Sequence, residues 1–226
     1  MTASRGLPAE VTEAAQDYIR EIYKLEEDGE RATTSAIAAR LGVSAPSATG
    51  MIKKLTGLGL LEHAPYRGVV LTEAGKRIAL EVIRHHRLLE LYLVRALEMP
   101  LHAVHAEADR LEHAISEELE QRIDVALGRP AYDPHGDPIP SQRLEVESRQ
   151  TRALADLEPG QEARVLSVPD LEEDLLRYLA SIELVPGQSV TVTRASPQSG
   201  ALTVRVAGGR ESAISHDLAR QIRIAA

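Results

Sequence analysis

The sequence predicts a mostly α-helical chain closed by a small all-β domain, and three observations carry that reading. Over roughly the first 125 residues apolar side chains recur at helical spacing, broken by Gly29, Gly42, Gly57 and Gly59. A stretch rich in Pro, Gly and Asp, GRPAYDPHGDPIPS from Gly128 to Ser141, then interrupts the helices as a connector. Beyond about Leu157 the chain turns into short alternating apolar runs punctuated by Pro-Gly, Ser-Gly and Gly-Gly.

Taken in order, VTEAAQDYIREIYKLEED places Ala15, Ile19, Ile22 and Leu25 on one helical face, with Thr12 as its cap. TTSAIAARLG predicts a short second helix ended by Gly42. VSAPSATGMIKKLTGLG predicts a third, with Ser44 at the N-cap and Pro46 in the first turn, where proline is tolerated. Leu60–Leu61 and Val69–Leu71 flank the turn-forming APYRG and predict a β-hairpin. Helix, helix, turn, helix and hairpin make a winged helix-turn-helix over roughly residues 10 to 73. A long apolar-rich helix should run from Thr72 to about Met99, followed by helices in HAVHAEADRLEHAI and SEELEQRIDVALG. Its surplus of apolar surface suggests dimerisation, which helix-turn-helix proteins commonly use to span two half-sites. In the last seventy residues or so the strands should form a small barrel, with DLEEDLLRYLASIEL as one inserted helix. The boundaries follow: 1–73 winged helix, 74–141 helical domain, 142–156 linker, 157–226 β domain.

Composition narrows the chemistry. With no Phe, no Trp and six Tyr, the core must be aliphatic. The absence of cysteine excludes disulfides, thiolate metal sites and cysteine nucleophiles. No run of eighteen apolar residues appears and the N-terminal stretch lacks a signal-peptide core, so a cytoplasmic chain without membrane contact is expected. The net charge of −8 is unevenly spread. From Arg31 to Arg77 seven basic residues face two acidic ones, a window of +5 that leaves −13 for the remainder. A basic module on an acidic body suits a nucleic-acid binder, because phosphate contacts are local.

In a helix-turn-helix the second helix of the pair enters the major groove by its N-terminal end. That end carries Ser44, Ala45, Pro46, Ser47, Ala48 and Thr49, with Lys53 and Lys54 a turn further on. The hydroxyls can bond bases or phosphates, and Ala, Pro and the Thr methyl can pack on thymine methyls. Without an early Arg, Asn or Gln, DNA shape should carry much of the specificity. Lys53, Lys54 and Arg67 on the wing suit phosphate contacts. The competing reading is a winged helix used only for protein contacts.

HAVHAEADRLEHAI packs three histidines and three carboxylates into fourteen residues. At 100° per residue His105, Asp109, Glu112 and His113 fall at about 0°, 40°, −20° and 80°, one face beside the apolar stripe of Val104, Ala108, Leu111 and Ile115. His86 and Glu90 form an i, i+4 pair on the preceding helix, and Asp17 on the first helix can turn towards the same seam. Imidazole and carboxylate without sulfur suit Mn(II), Fe(II) or Zn(II), with carboxylate favouring the harder ions. The bland alternative is a solvated face with ion pairs such as Arg110 with Glu107. His63, His85, His102, His135 and His216 read as surface or structural.

Several of these stretches together resemble the diphtheria toxin repressor family of metal-dependent transcriptional regulators. YIREIYKLEEDG, IAARLGVSAPSAT, HHRLLE, VHAEADRLEH, HGDPIP and the C-terminal β domain match its landmarks in order over almost the whole chain. The resemblance implies a homodimer on double-stranded operator DNA, a divalent metal as corepressor and a Src-homology-3-like (FeoA-like) C-terminal domain. It implies a primary metal site of Asp17, Asp109, Glu112 and His113. It also implies an ancillary site of His86, Glu90 and His105, reached by Glu172, with Glu173 or Asp174 as substitutes. Asp17 and Asp109 stand where iron-sensing members place Met and Cys, which points to Mn(II), with Fe(II) the alternative and Zn(II), Co(II) or Cd(II) able to bind in vitro. Arg20 stands where some manganese sensors carry Glu, Leu175 where a second C-terminal ligand is expected, and Gly50 where iron-type members place a Gln. The function expected is a metal-dependent dimeric repressor of metal-homeostasis genes, not an enzyme. Its rivals are a regulator sensing an organic effector, which needs an apolar pocket, and a metallohydrolase, which needs an open coordination position.

Overall fold

The computed structural model describes residues 11–64, 68–170, 173–196 and 200–226. They fall into two compact units. One comprises the described residues of Met1–His85, Glu112–Glu120 and Pro140–Glu145; the other comprises those of His86–Leu111, Gln121–Ile139 and Val146–Ala226.

The first unit opens with α1 (Glu13–Glu27), α2 (Thr34–Arg40) and α3 (Ala45–Gly57), then the hairpin of β1 (Leu61–Ala64) and β2 (Gly68–Leu71). Ile19, Ile22 and Leu25 of α1, Ile37 of α2 and Leu55 of α3 are fully buried in one aliphatic core with Leu61 and Leu71 of the wing. The local chemistry agrees with each boundary. Ser44 caps α3 by accepting from the Ser47 amide, and Pro46 sits in its first turn. The Thr33 hydroxyl accepts from the Ala36 amide at the start of α2. The wing pairs antiparallel, Leu61 opposite Leu71 and His63 opposite Val69. Gly68 is required there: its φ is +89°, and a Cβ would stand 2.4 Å from the carbonyl oxygen of Ala32. The same segment gives the Val69 amide its acceptor, Ala32 O at 3.1 Å, and Glu26 on α1 accepts from the Leu71 amide at 2.8 Å.

α4 (Glu73–Leu97) is the long helix predicted from Thr72. Thr72 Oγ1 accepts from the Gly75 amide at its start. At its end Glu98 turns to φ +54° and the Met99 amide bonds back to Leu93 O, a left-handed C-terminal cap followed by Pro100. α5 (Val104–Leu111) is shorter than the helix expected over 102–115. Glu112, His113 and Ala114 form a turn instead, because Ser116 caps α6 (Glu117–Ala126) with its hydroxyl and carbonyl and the chain must leave helical geometry before it.

The second unit carries β3 (Thr151–Ala153), β4 (Glu162–Ser167), α7 (Glu173–Ser181), β5 (Ser189–Ser196), β6 (Ala201–Val206), β7 (Glu211–Ser215), α8 (His216–Gln221) and β8 (Arg223–Ala225). The strands form one antiparallel sheet ordered β3-β8-β4-β5-β6-β7. Alternate residues of β5 and β6, Val190, Val192, Leu202, Val204 and Val206, turn inward onto Leu176, Leu179 and Ile222. β3 starts at Thr151, six residues before the change of texture in the sequence, and α8 had no counterpart in the sequence reading. Among the described residues no helix is long and apolar enough to cross a membrane.

Candidate metal centres

The second unit gathers four ligand atoms, one of them from the carboxylate of Glu90. One helical turn separates His86 from Glu90 on α4, so both side chains leave the same face. His86 Nε2 lies 3.0 Å from Glu90 Oε1, His105 Nδ1 3.1 Å from that oxygen, and the two ring nitrogens 3.1 Å from each other. Asp170 Oδ2, three residues beyond β4, stands 3.7 Å from His105 Nδ1. Metal–nitrogen and metal–oxygen bonds of about 2.0–2.2 Å put neighbouring ligand atoms roughly 3–3.6 Å apart, so His86, Glu90 and His105 have the spacing of ligands on one ion and Asp170 stands just beyond it. Glu90 is fully buried. Burial alone would raise its pKa, yet the charge of His86, the hydrogen bonds of His86 and His105 and the nearby His135 ring together hold the carboxyl well below its ordinary range. Asp109 faces this group as well, Oδ1 3.4 Å from His86 Nδ1 and Oδ2 3.6 Å from His105 Nε2.

His135 belongs here too, against the surface-or-structural reading of the sequence. It is wholly buried, with Nδ1 3.4 Å from Glu90 Oε2, and neither ring nitrogen makes a hydrogen bond. Burial opposes its charge, but Glu90 and Asp133 outweigh that and push it up to about 9. The 131–139 loop places it: Asp133 Oδ1 accepts from the amides of His135 and Asp137, and Arg87 Nη1 donates to Pro138 O at 2.6 Å. Gly136 lies at φ +92° with its Cα pressed on β4, where a Cβ would fall 1.8 Å from Leu166 O. The His135 carbonyl accepts from the Val168 amide.

The first unit holds a second group. Asp17 comes from α1, and Glu112 and His113 from the turn after α5. His113 Nε2 lies 3.0 Å from Asp17 Oδ1 and 3.4 Å from Glu112 Oε1, while Nδ1 faces Gln16 Oε1 at 2.8 Å. With Nδ1 donating to the Gln16 amide oxygen, Nε2 is turned to the carboxylates, where it donates to Asp17 and where a metal would displace that proton. The Asp17 hydrogen bond raises the His113 pKa against the opposing effect of burial. Arg20 Nη1 donates to Glu112 Oε1 at 2.5 Å, so the buried carboxylate already has a cationic partner. Sequence reading missed Gln16, Asp170 and His135, which reach their centres as a neutral side chain or from loops without helical spacing.

Glu172 and Arg67 lie outside the described residues. The substitutes Glu173 and Asp174 are engaged elsewhere, as both accept from Arg177 on the exposed face of α7. On α3, Ser44, Ala45, Pro46, Ser47, Thr49, Lys53 and Lys54 are exposed as a reading face requires, whereas Ala48 is buried in the core. Thr49 Oγ1 donates to Ala45 O at 2.9 Å, and the Ser44 and Ser47 hydroxyls lie 2.9 Å apart.

The sequence matches three family descriptions in succession: "Iron dependent repressor, N-terminal DNA binding domain" over residues 10–69, "Iron dependent repressor, metal binding and dimerisation domain" over 72–141, and "FeoA domain" over 152–226. It is 32% identical to the iron-dependent repressor IdeR of Mycobacterium tuberculosis across 95% of this chain and 98% of that protein. The chain belongs to the diphtheria toxin repressor family. The diphtheria toxin repressor of Corynebacterium diphtheriae is 29% identical over 95% of this chain and 98% of its own. A solved manganese-dependent transcriptional repressor in complex with manganese superposes with a TM-score of 0.86 at 36% identity, covering 93% of this chain and 98% of that one. The repressor ScaR, solved with bound zinc and with bound cadmium, superposes at 0.81 and 29% identity, covering 96% of this chain and 99% of each of those. Family membership makes the protein a metal-dependent, DNA-binding transcriptional repressor of metal homeostasis rather than an enzyme. It therefore sets aside the organic-effector and hydrolase readings.

Proposed function

We propose that this repressor responds to Mn(II), with Fe(II) as the alternative activator and Zn(II), Co(II) and Cd(II) as ions able to occupy its centres in vitro. The observation that carries the reading is the donor set: both groups offer only imidazole nitrogen and carboxylate oxygen, and the chain has no cysteine. Hard donors suit Mn(II), the weakest binder of the divalent series, which must be selected by ligand type and geometry. In this reading Asp17, Glu112 and His113, with Asp109 one turn earlier, form the primary site. His86, Glu90, His105 and Asp170, with Glu172 close by in sequence, form the ancillary one. Bound metal would supply positive charge where two carboxylates and an imidazole from α1 and the 112–113 turn converge. Asp17 then holds α1 to that turn, His113 is oriented by Gln16, and the winged helix keeps one arrangement, as needed for population of a DNA-competent state.

The active species is a homodimer on double-stranded operator DNA in the cytoplasm, built from a winged helix (1–73), a helical domain (74–141), a linker (142–156) and the C-terminal domain (157–226). Ser44, Ala45, Pro46, Ser47 and Thr49 face the major groove; Lys53, Lys54 and Arg67 take phosphates. A gel-shift titration with and without Mn(II) tests this, and equal DNA binding in chelator would sink it. His113→Ala is expected to abolish the metal response while leaving the dimer intact; a wild-type response would exclude the primary site as drawn.

A further inference from the structure

α4 buries two titratable side chains that neither centre uses. Glu81 and His85, one turn apart, are 8% and 4% exposed, and across from them stand Glu117 and Glu120 at the start of α6. The neighbouring Arg84 is fully engaged: its Nε donates to Glu120 Oε1 at 2.8 Å and its Nη1 to Pro140 O at 2.7 Å. His85 is not. Its Nδ1 faces the main-chain carbonyl of Glu112 at 3.3 Å, which fixes the proton on that nitrogen and turns the Nε2 lone pair the other way. There it meets Glu117 Oε1 at 3.7 Å and Glu120 Oε2 at 3.5 Å. Neither His85 Nε2 nor Glu81 Oε1 makes a hydrogen bond, although both atoms are buried.

Buried polar atoms left unpaired are costly and call for a partner. A proton on Nε2 would draw a carboxylate to about 2.7–2.9 Å, the length of a charge-assisted hydrogen bond. The observed separations, 3.7 and 3.5 Å, are longer and lie at the upper edge of those between two ligands on one ion, roughly 3–3.6 Å. Glu81, His85 and Glu117 offer ligand atoms that all lie within 4.8 Å of one another. A ring that donates one N–H to a main-chain carbonyl and directs its other nitrogen at carboxylates has the arrangement of a metal-ligating histidine.

We propose that Glu81, His85 and Glu117, with Glu120 beside them, form a third divalent-cation site, distinct from the two centres above. Its donors are again oxygen and imidazole nitrogen, so it takes a first-row divalent ion of the Mn(II) to Zn(II) range. Through His85 it also touches the main chain of Glu112.

The test counts ions on the full-length protein carrying His105→Ala and His113→Ala, with Mn(II) as probe and free Mn(II) followed by electron paramagnetic resonance. About one Mn(II) per chain should remain, and adding Glu117→Gln should weaken it by roughly 10–100-fold, the usual penalty for disturbing a metal site. Glu117 is only partly buried, so the variant keeps its fold, which circular dichroism checks; His85→Gln gives a second, independent removal. No residual ion in the background protein, or an ion indifferent to both substitutions, overturns the proposal. The proposal stands apart from the assignment of the two centres, which is judged by how far His105→Ala and His113→Ala alone reduce the count.

Discussion

Arg20 and Glu112 set the character of the α1 centre. A carboxylate with no exposure is paired at 2.5 Å with a guanidinium that is itself 11% exposed, so the charges of the metal-poor protein are compensated: Arg20 serves Glu112 and His113 serves Asp17. With both carboxylates paired, mutual repulsion of Asp17 and Glu112 does not govern the metal-free state. Removing one partner of a buried pair costs on the order of 3–5 kcal/mol because the other charge is stranded. Arg20→Gln should therefore lower the melting temperature of the metal-free protein, and Mn(II) should restore more of it than in the wild type, since an ion would take over the neutralising role. Equal melting of the two metal-free proteins would refute this account. At this scale the sequence was readable where candidate ligands share a helix, as His86 and Glu90 do on α4, whereas Glu112 and His113 sit on the turn after α5 and not on the helix expected there. Asp170, His135 and His85 were not readable, because their roles depend on which loop or helix lies opposite, and that is decided by tertiary packing.

At the scale of elements, α3 is the clearest case. Its cap, its proline and its terminating glycines were all legible, because each acts within one turn of backbone. What the sequence left hidden is that the Thr49 hydroxyl is already bonded to Ala45 O, leaving its methyl as the group on offer. The exposed cations of this helix are Lys53 and Lys54, to which the proposed reading gives phosphate contacts. Lys54→Ala should weaken binding to operator and unrelated duplex alike and reduce the slope of log K against log salt by about 0.9 per protomer, roughly 1.8 for the dimer. A loss confined to one operator sequence would instead make Lys54 a base contact. α5 shows the opposite case. Its apolar stripe continues past Leu111 in the sequence, but the Ser116 cap of α6 stops the helix, and periodicity cannot see a cap belonging to the next element.

For the whole molecule, fold class was legible because it rests on texture: helical periodicity first, two-residue alternation last. The division of the chain into compact units was not, since stretches distant in sequence join each unit, as Glu112–Glu120 joins the one led by α1. Both centres draw ligands from segments far apart along the chain, so an ion that binds only the folded form should stabilise it globally. At a free Mn(II) concentration of about 100 Kd the gain is about 2.7 kcal/mol per site. Thermal unfolding should shift upward with Mn(II) and fall back on adding chelator. A melting temperature indifferent to both would mean that the ion also binds the unfolded chain equally well or does not bind at all.

α1 joins the ends of this story mechanically. Asp17 lies near its start and Glu26, whose Oε1 holds the Leu71 amide of the wing at 2.8 Å, near its end. Nine residues of helix make a rigid rod of about 13 Å. A tilt of about 5° at the Asp17 end swings the far end by about 1 Å, enough to break the grip on β2. The helix is thus a lever with a charge-operated fulcrum, and the Leu71 amide is its pointer. Its hydrogen exchange should slow when Mn(II) is added, and by more than the global stabilisation alone slows exchange at other amides.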